Sequence, residues 1–242
     1  MSARISLVLL VVCCFSGILS SDLKPPCEAT DMTCLEKVVV ATRARLLRGI
    51  PELDIKPSDP LFLEQINGDL PLLKYKFFNT TLSGYNDCVL SNLKILRNLT
   101  SLQYDLDCPQ LRVKGDYEMK GELVSSPVEG SGSFEIITGR YFVHVDYTLS
   151  KYQGDDGEVY LFGENLELVC VPETSVKFNF ENLCGLFLVP ADAAQQLARD
   201  HWREVTEYIQ DPIWYACIKA YIVKMNKMLS TVPFKKFVVF NK

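Results

Sequence analysis

The chain has 242 residues, with 30 acidic side chains against 25 basic ones and a net charge of −5 at pH 7. No basic stripe with interleaved aromatics is present, which argues against nucleic acid as a partner. Two histidines, no G-x-S-x-G, no H-E-x-x-H and no phosphate-cradling glycine loop leave no catalytic set, so the reading is a non-enzyme without a cofactor or metal site.

Met1-Ser2-Ala3-Arg4, the apolar run Ile5 to Phe15 and the small residues up to Ser20 have the order of a secretory signal peptide. The run is too short to span a bilayer, and no later stretch reaches 18 apolar residues. Residues 1–20 are therefore read as a signal and 21–242 as one secreted, extracellular domain without stable membrane insertion, expected as a monomer. Cys13 and Cys14 leave with the signal, so seven cysteines remain in an oxidising compartment and one at least stays unpaired. Asn79 and Asn98 stand in glycosylation sequons.

Thr33-Cys34-Leu35-Glu36 fits a capping box, and Leu35, Val38, Val39 and Leu46 follow at helical spacing until Gly49 and Pro51. This predicts a helix over 31–48, with a Cys27–Cys34 bridge pinning the N-terminal arm to its first turn. Residues 50–60 hold three prolines and are expected to be extended. Leu73, Tyr75 and Phe77 alternate with lysines, as a half-buried strand does. Leu102, Tyr104, Leu106 and Cys108 form another strand on even parity. From Leu111 to Leu123 the apolar parity is odd without a slip, so Pro109-Gln110 must hold a bulge or break that resets the faces. Cys88 and Cys108 are equidistant from Asn98, and a hairpin turning there would bring them together as a bridge.

Ser125 to Gly132, with Pro127, Gly130 and Gly132, reads as a turn. Tyr141 to Leu149 alternates again, and Gly154-Asp155-Asp156-Gly157 reads as a hairpin turn. Strands are expected around Leu166 to Cys170 and Val176 to Phe180. From about Ala191 to Leu229 the apolar period becomes 3.6, predicting one helix of roughly 57 Å at 1.5 Å per residue, kinked or split at Pro212. Phe234 to Phe240 reads as a closing strand. A curved sheet closed over such a rod would form a container for an apolar ligand.

These residues resemble the takeout and juvenile-hormone-binding protein family of insect haemolymph carriers. The motifs are Cys27 and Cys34 with six residues between them, then Gly49-Ile50-Pro51-Glu52 and Asp59-Pro60-Leu61. They continue with Phe78-Asn79-Thr80-Thr81-Leu82-Ser83-Gly84, Tyr117-Glu118-Met119-Lys120-Gly121, Trp202-Arg203-Glu204 and Pro233. The resemblance implies an α+β, TULIP-like fold: a long curved antiparallel sheet wrapped around one long C-terminal helix, with a short N-terminal helix gating a lipid tunnel. It implies a Cys27–Cys34 bridge and, by spacing, a Cys170–Cys217 bridge of the hormone-binding branch. It implies a carrier of juvenile hormone or a related lipid; the competing reading is a takeout-like interaction or signalling protein acting on a membrane surface or receptor.

Tyr147 lies on the inward parity of its strand and aligns with a tyrosine that, in the hormone-binding branch, offers its hydroxyl to the ligand. The bland alternative is a core tyrosine bonded to backbone. Val143, Val145, Tyr117 and Met119 share inward parity and are wall candidates, with ordinary core as the competing assignment. Cys184 is expected as a buried thiol rather than a nucleophile.

Overall fold

The computed structural model describes residues 26–96, 99–185 and 191–239; the expected signal peptide and Asn98 lie outside them. In chain order the elements are β1 (Cys27–Glu28), α1 (Met32–Arg48), β2 (Leu61–Asp69), β3 (Leu73–Ser83), β4 (Val89–Leu96) and β5 (Ser101–Cys108). Then come β6 (Arg112–Leu123), β7 (Ser126–Ile137), β8 (Tyr141–Gln153), β9 (Val159–Pro172), β10 (Lys177–Phe180) and β11 (Cys184–Gly185). The chain ends with α2 (Ala191–Asp200), α3 (Trp202–Leu229) and β12 (Val238–Val239).

The architecture is a curved antiparallel β-structure with a long C-terminal helix and a short N-terminal one. It does not close. Its strands fall into a six-stranded sheet, β10-β7-β6-β3-β2 with β11 also on β7, and a four-stranded sheet, β4-β5-β8-β9. β1 and β12 form a separate parallel pair. The parity reset at Pro109-Gln110 is where the chain leaves the second sheet for the first.

Alternation predicts the strands well where it is clean. In β6, Val113, Tyr117, Met119 and Leu123 are buried while Arg112, Lys114, Glu118 and Lys120 are exposed. β2 escapes the same reading because its phase slips. Its buried residues pass from Leu61 on odd numbering to Ile66 and Gly68 on even numbering, and on β3 Asn79 takes a positive φ of 50° where the β3–β6 register shifts between Phe78 and Thr81. A one-residue slip turns the apolar set to the other face, so no single period runs through the segment.

The turn expected at 125–132 is instead strand β7. The reversal occurs just before it, with Val124 and Ser125 both in the left-handed region. The glycines serve close packing: a Cβ on Gly130 would lie 2.7 Å from the Asn182 carbonyl and 2.9 Å from the Leu183 Cα. Residues 50–60 are not extended either. Pro51–Leu53 is a 3-10 turn, Asp54 is left-handed, and Ile50 and Ile55 bridge. The expected closing strand reduces to a 3-10 turn at Phe234–Lys236 followed by β12.

The cap of α1 lies two residues before the one predicted. Asp31, not Thr33, is the N-cap, and its carboxylate accepts from the Cys34 N–H at 3.0 Å. The C-terminal rod is broken at His201 (φ −110°, ψ 31°), while Pro212 sits inside α3 without ending it. Proline inside a helix costs about 3 kcal/mol. Burial on both sides of it offsets that cost: Ile209, Gln210, Ile213 and Trp214 are all buried. Gln210 and Trp214 are also tied to the second sheet. Tyr141 Oη donates to Gln210 Oε1, Trp214 Nε1 donates to Tyr141 Oη at 2.9 Å, and Gln210 Nε2 donates to the Cys170 carbonyl at 3.2 Å.

Two expected disulfides form, Cys27–Cys34 and Cys88–Cys108, the second across the β4–β5 hairpin. The third does not: Cys170 and Cys217 are free thiols. Burial pushes each thiol up to about 12, so the thiolate that would attack is scarce. Cys184 is also free and is exposed, not buried as expected.

Asp105 pins a bulge in β4. It accepts from Asn92 Nδ2 at 2.6 Å and meets His144 Nδ1 at 2.6 Å. Burial pushes its carboxyl up, but the contacts with His144 and Asn92 outweigh that and hold it below the usual 3.8. A depressed carboxylate stabilises the fold above its unfolded-state pKa, and that contribution is lost as pH falls through the lower folded-state value. The urea midpoint is therefore expected to drop below about pH 4, and Asp105→Asn to make that drop shallower. An acid slope unchanged in the variant would remove Asp105 from the account.

Candidate functional site

A cavity of 110 Å³ opens between α1, the second sheet and the C-terminal end of α3. α1 contributes Leu35, Val38, Val39, Thr42 and Arg43. The sheet contributes Leu90 and Ile95 from β4, Leu102 and Tyr104 from β5, Tyr147 and Leu149 from β8, and Leu161 from β9, joined by Leu99. α3 contributes Tyr221, Met225 and Leu229, and the terminal segment Phe234, Phe237 and Val238. The lining is apolar except for one threonine hydroxyl, three phenols and one guanidinium.

Local chemistry places these groups. On α1 the apolar stripe runs 35, 38, 39, 42, so residue 43, four on from Val39 and eight on from Leu35, shares its face. On β8, Tyr147 and Leu149 point the same way by strand parity. The Tyr147 hydroxyl donates to Met225 Sδ at 3.4 Å, and its ring meets that of Tyr104 edge-on with centroids 6.3 Å apart. A thioether is a weak acceptor, so this hydroxyl remains available to a better one. Burial raises the Tyr147, Tyr104 and Tyr221 hydroxyls above their ordinary value. They are hydrogen-bond donors at any physiological pH.

Of the five residues expected as ligand contacts, Tyr147 lines this cavity and four do not. Val143 and Val145 are buried further along β8, facing Leu106 and Tyr104 of β5. Tyr117 and Met119 belong to the other sheet. Tyr117 donates to the Glu181 carbonyl at 2.7 Å and packs edge-on against Phe180. Met119 lies beside a surface groove with Lys74, Lys76 and Glu129. Parity marks a covered face without saying which sheet or which void it covers. The resemblance implied a gating N-terminal helix and a tunnel beside the C-terminal one, but no lining residue on either was singled out, although an arginine on the apolar stripe of a helix was a readable signal. Asn79 is exposed at its bulge, its Nδ2 donating to Asp116 Oδ2 at 2.9 Å. Among the described residues no helix is long and apolar enough to cross a membrane.

A family model described as haemolymph juvenile hormone binding protein (JHBP) matches residues 7–239. The chain belongs to this family. The circadian clock-controlled protein daywake of Drosophila melanogaster is 23% identical over 229 residues, covering 87% of this chain and 85% of the relative. A juvenile hormone-binding protein of Manduca sexta is 28% identical over 74 residues, covering 29% of this chain and 32% of that one. The crystal structure of Epiphyas postvittana Takeout 1 superposes with a TM-score of 0.77 at 19% identity, covering 89% of this chain and 99% of that one. The fold is thus that of the takeout-like members of the JHBP family. The cavity of this member has its apolar lining drawn from both helix ends and one sheet.

Proposed function

We propose that the protein is a secreted carrier that holds a small hydrophobic ligand, juvenile hormone or a related lipid, in the cavity beneath α1, and performs no chemistry on it. The observation that carries this reading is the apolar void itself, walled by elements from both ends of the chain and edged by a few donors. Family membership and two disulfides accord with an extracellular carrier.

Magnitudes are consistent with such a role. A sesquiterpenoid-sized lipid buries on the order of 350 Å² of apolar area, about 9 kcal/mol gross at 25 cal/mol/Å². Association and ordering remove several kcal/mol of it, leaving micromolar to nanomolar affinity. The void at 110 Å³ is of the size that admits a single small ring, as an engineered apolar cavity of about 150 Å³ does. A whole lipid therefore requires a wall to part, and α1 is the candidate gate.

Titration with a neutral fluorescent lipid probe, N-phenyl-1-naphthylamine, is the direct test. A single saturable site at micromolar protein is expected; its absence would remove the carrier reading. Tyr147→Phe is expected to weaken a competitor with a polar head by about 1 kcal/mol, the net worth of one hydrogen bond, and to leave a pure hydrocarbon competitor unchanged. Equal effects on both competitors would take the Tyr147 hydroxyl out of the site.

A further inference from the structure

Among the described residues Arg43 is the one cation in the cavity lining, and its side chain is incompletely satisfied. One terminal nitrogen donates to two backbone carbonyls, those of Tyr85 at 3.0 Å and Cys88 at 3.1 Å. The guanidinium carbon lies 5.2 Å from the centre of the Tyr85 ring. Its Nε is buried with no hydrogen-bond partner within bonding geometry, and the buried Tyr85 hydroxyl beside it is influenced by Arg43 and Tyr104. None of the ion pairs among the described residues uses Arg43.

This arrangement is costly in isolation. A charge drawn away from water needs a counter-charge or a full set of hydrogen bonds. Carbonyl dipoles meet only part of that need, and a guanidinium has five N–H donors. The groups around it are neutral phenols, which can donate or accept a hydrogen bond but bring no negative charge. Tyr104 and Tyr221 line the same cavity, and burial keeps both phenols protonated. The Tyr85 ring packs edge-on against Tyr221 with centroids 5.7 Å apart. One end of an otherwise greasy void thus presents a cation and several O–H groups with no anion among them.

We propose that Arg43, with the phenols around it, receives the carboxylate of a long-chain carboxylic acid whose hydrocarbon tail enters the apolar remainder of the cavity as its wall parts. The inference rests on the carrier reading and narrows it to acids. A planar guanidinium matches a carboxylate, and charge-assisted bonds are about twice as strong as neutral ones. A methyl ester offers the same tail and two neutral acceptors, without the charge that Arg43 lacks.

Displacement of N-phenyl-1-naphthylamine from the full chain at pH 7.4 by dodecanoic acid and by methyl dodecanoate separates the two. The acid is expected to displace the probe at about a tenth of the ester's concentration or less. Arg43→Met should weaken the acid about tenfold and the ester by less than twofold, and Arg43→Lys should restore part of the difference. Equal displacement by acid and ester in the unmodified protein overturns the proposal and leaves the carrier reading standing. So does an Arg43→Met variant that weakens both alike. If probe binds saturably and neither compound displaces it, this inference falls and the carrier reading stands; if no saturable probe site exists, the carrier reading fails and takes this inference with it. The acid-to-ester ratio of the unmodified protein decides the matter even if Arg43→Met does not fold.

Discussion

Phe77→Ala is expected to destabilise the protein by about 3–5 kcal/mol, the range for truncating a buried phenylalanine. Phe77 is fully buried on β3. Its ring stacks on Phe134 of β7 with centroids 4.1 Å apart, and touches Tyr75 at 4.7 Å and Phe180 of β10 at 6.2 Å. These rings bind three strands of the six-stranded sheet, β3, β7 and β10, into one packed layer. The void left by alanine is walled by rigid rings that cannot collapse into it, which puts the cost at the upper end for its size. Urea denaturation read by circular dichroism measures the loss. A loss under about 1 kcal/mol would mean that the cluster repacks freely. Phe77 does not line the cavity, so probe affinity of the folded variant should stay within twofold.

The complementary variant, Leu102→Trp, is expected to weaken probe binding about 30-fold while leaving stability nearly unchanged. Leu102 is buried on β5 opposite Tyr147 of β8 and faces the void. In a filled core the larger indole would cost about 1–3 kcal/mol by overpacking. Beside an empty space it can occupy that space instead. Excluding about 80 Å² of ligand area removes about 2 kcal/mol of binding at 25 cal/mol/Å², which is about 30-fold in affinity. Probe titration and urea denaturation on the same preparation measure both quantities. Unchanged affinity would place the ligand elsewhere; a stability loss near 3 kcal/mol would show the void to be no real space.

The strands β3, β5, β6 and β8 were legible because period-2 burial is a local property of the chain. So was the Cys88–Cys108 bridge, since a tight hairpin pairs residues equidistant from its turn. The helix break at His201 was not legible, because proline is the stronger local signal and only the buried network of Tyr141, Gln210 and Trp214 overrides it. The cavity was legible least of all. Its walls come from 35–43, 90–104, 147–161 and 221–238, segments that share no pattern and meet only after the sheet and helices dock. Tyr117 and Tyr147 read alike by parity, yet one packs on Phe180 in a solid layer and the other borders empty space. The difference lies in which sheet each strand joins, and that is a long-range property. Arg43 could have been suspected from its place on an apolar stripe, but its lack of a counter-charge depends on which distant segments pack around it.

β1 and β12 join the two ends of the described chain by a ladder of two residues each, with the Cys27 N–H donating to the Phe237 carbonyl at 2.9 Å and the Ala29 N–H to that of Val239 at 3.0 Å. Phe237 and Val238 in that ladder, and Leu35 just beyond Cys34, are also cavity wall. Unzipping this clasp breaks no hydrogen bond of either large sheet. In the carrier we propose, letting a guest in or out would then require only fraying at this edge, at a free energy well below that of global unfolding, so that a sturdy protein could still exchange its load quickly.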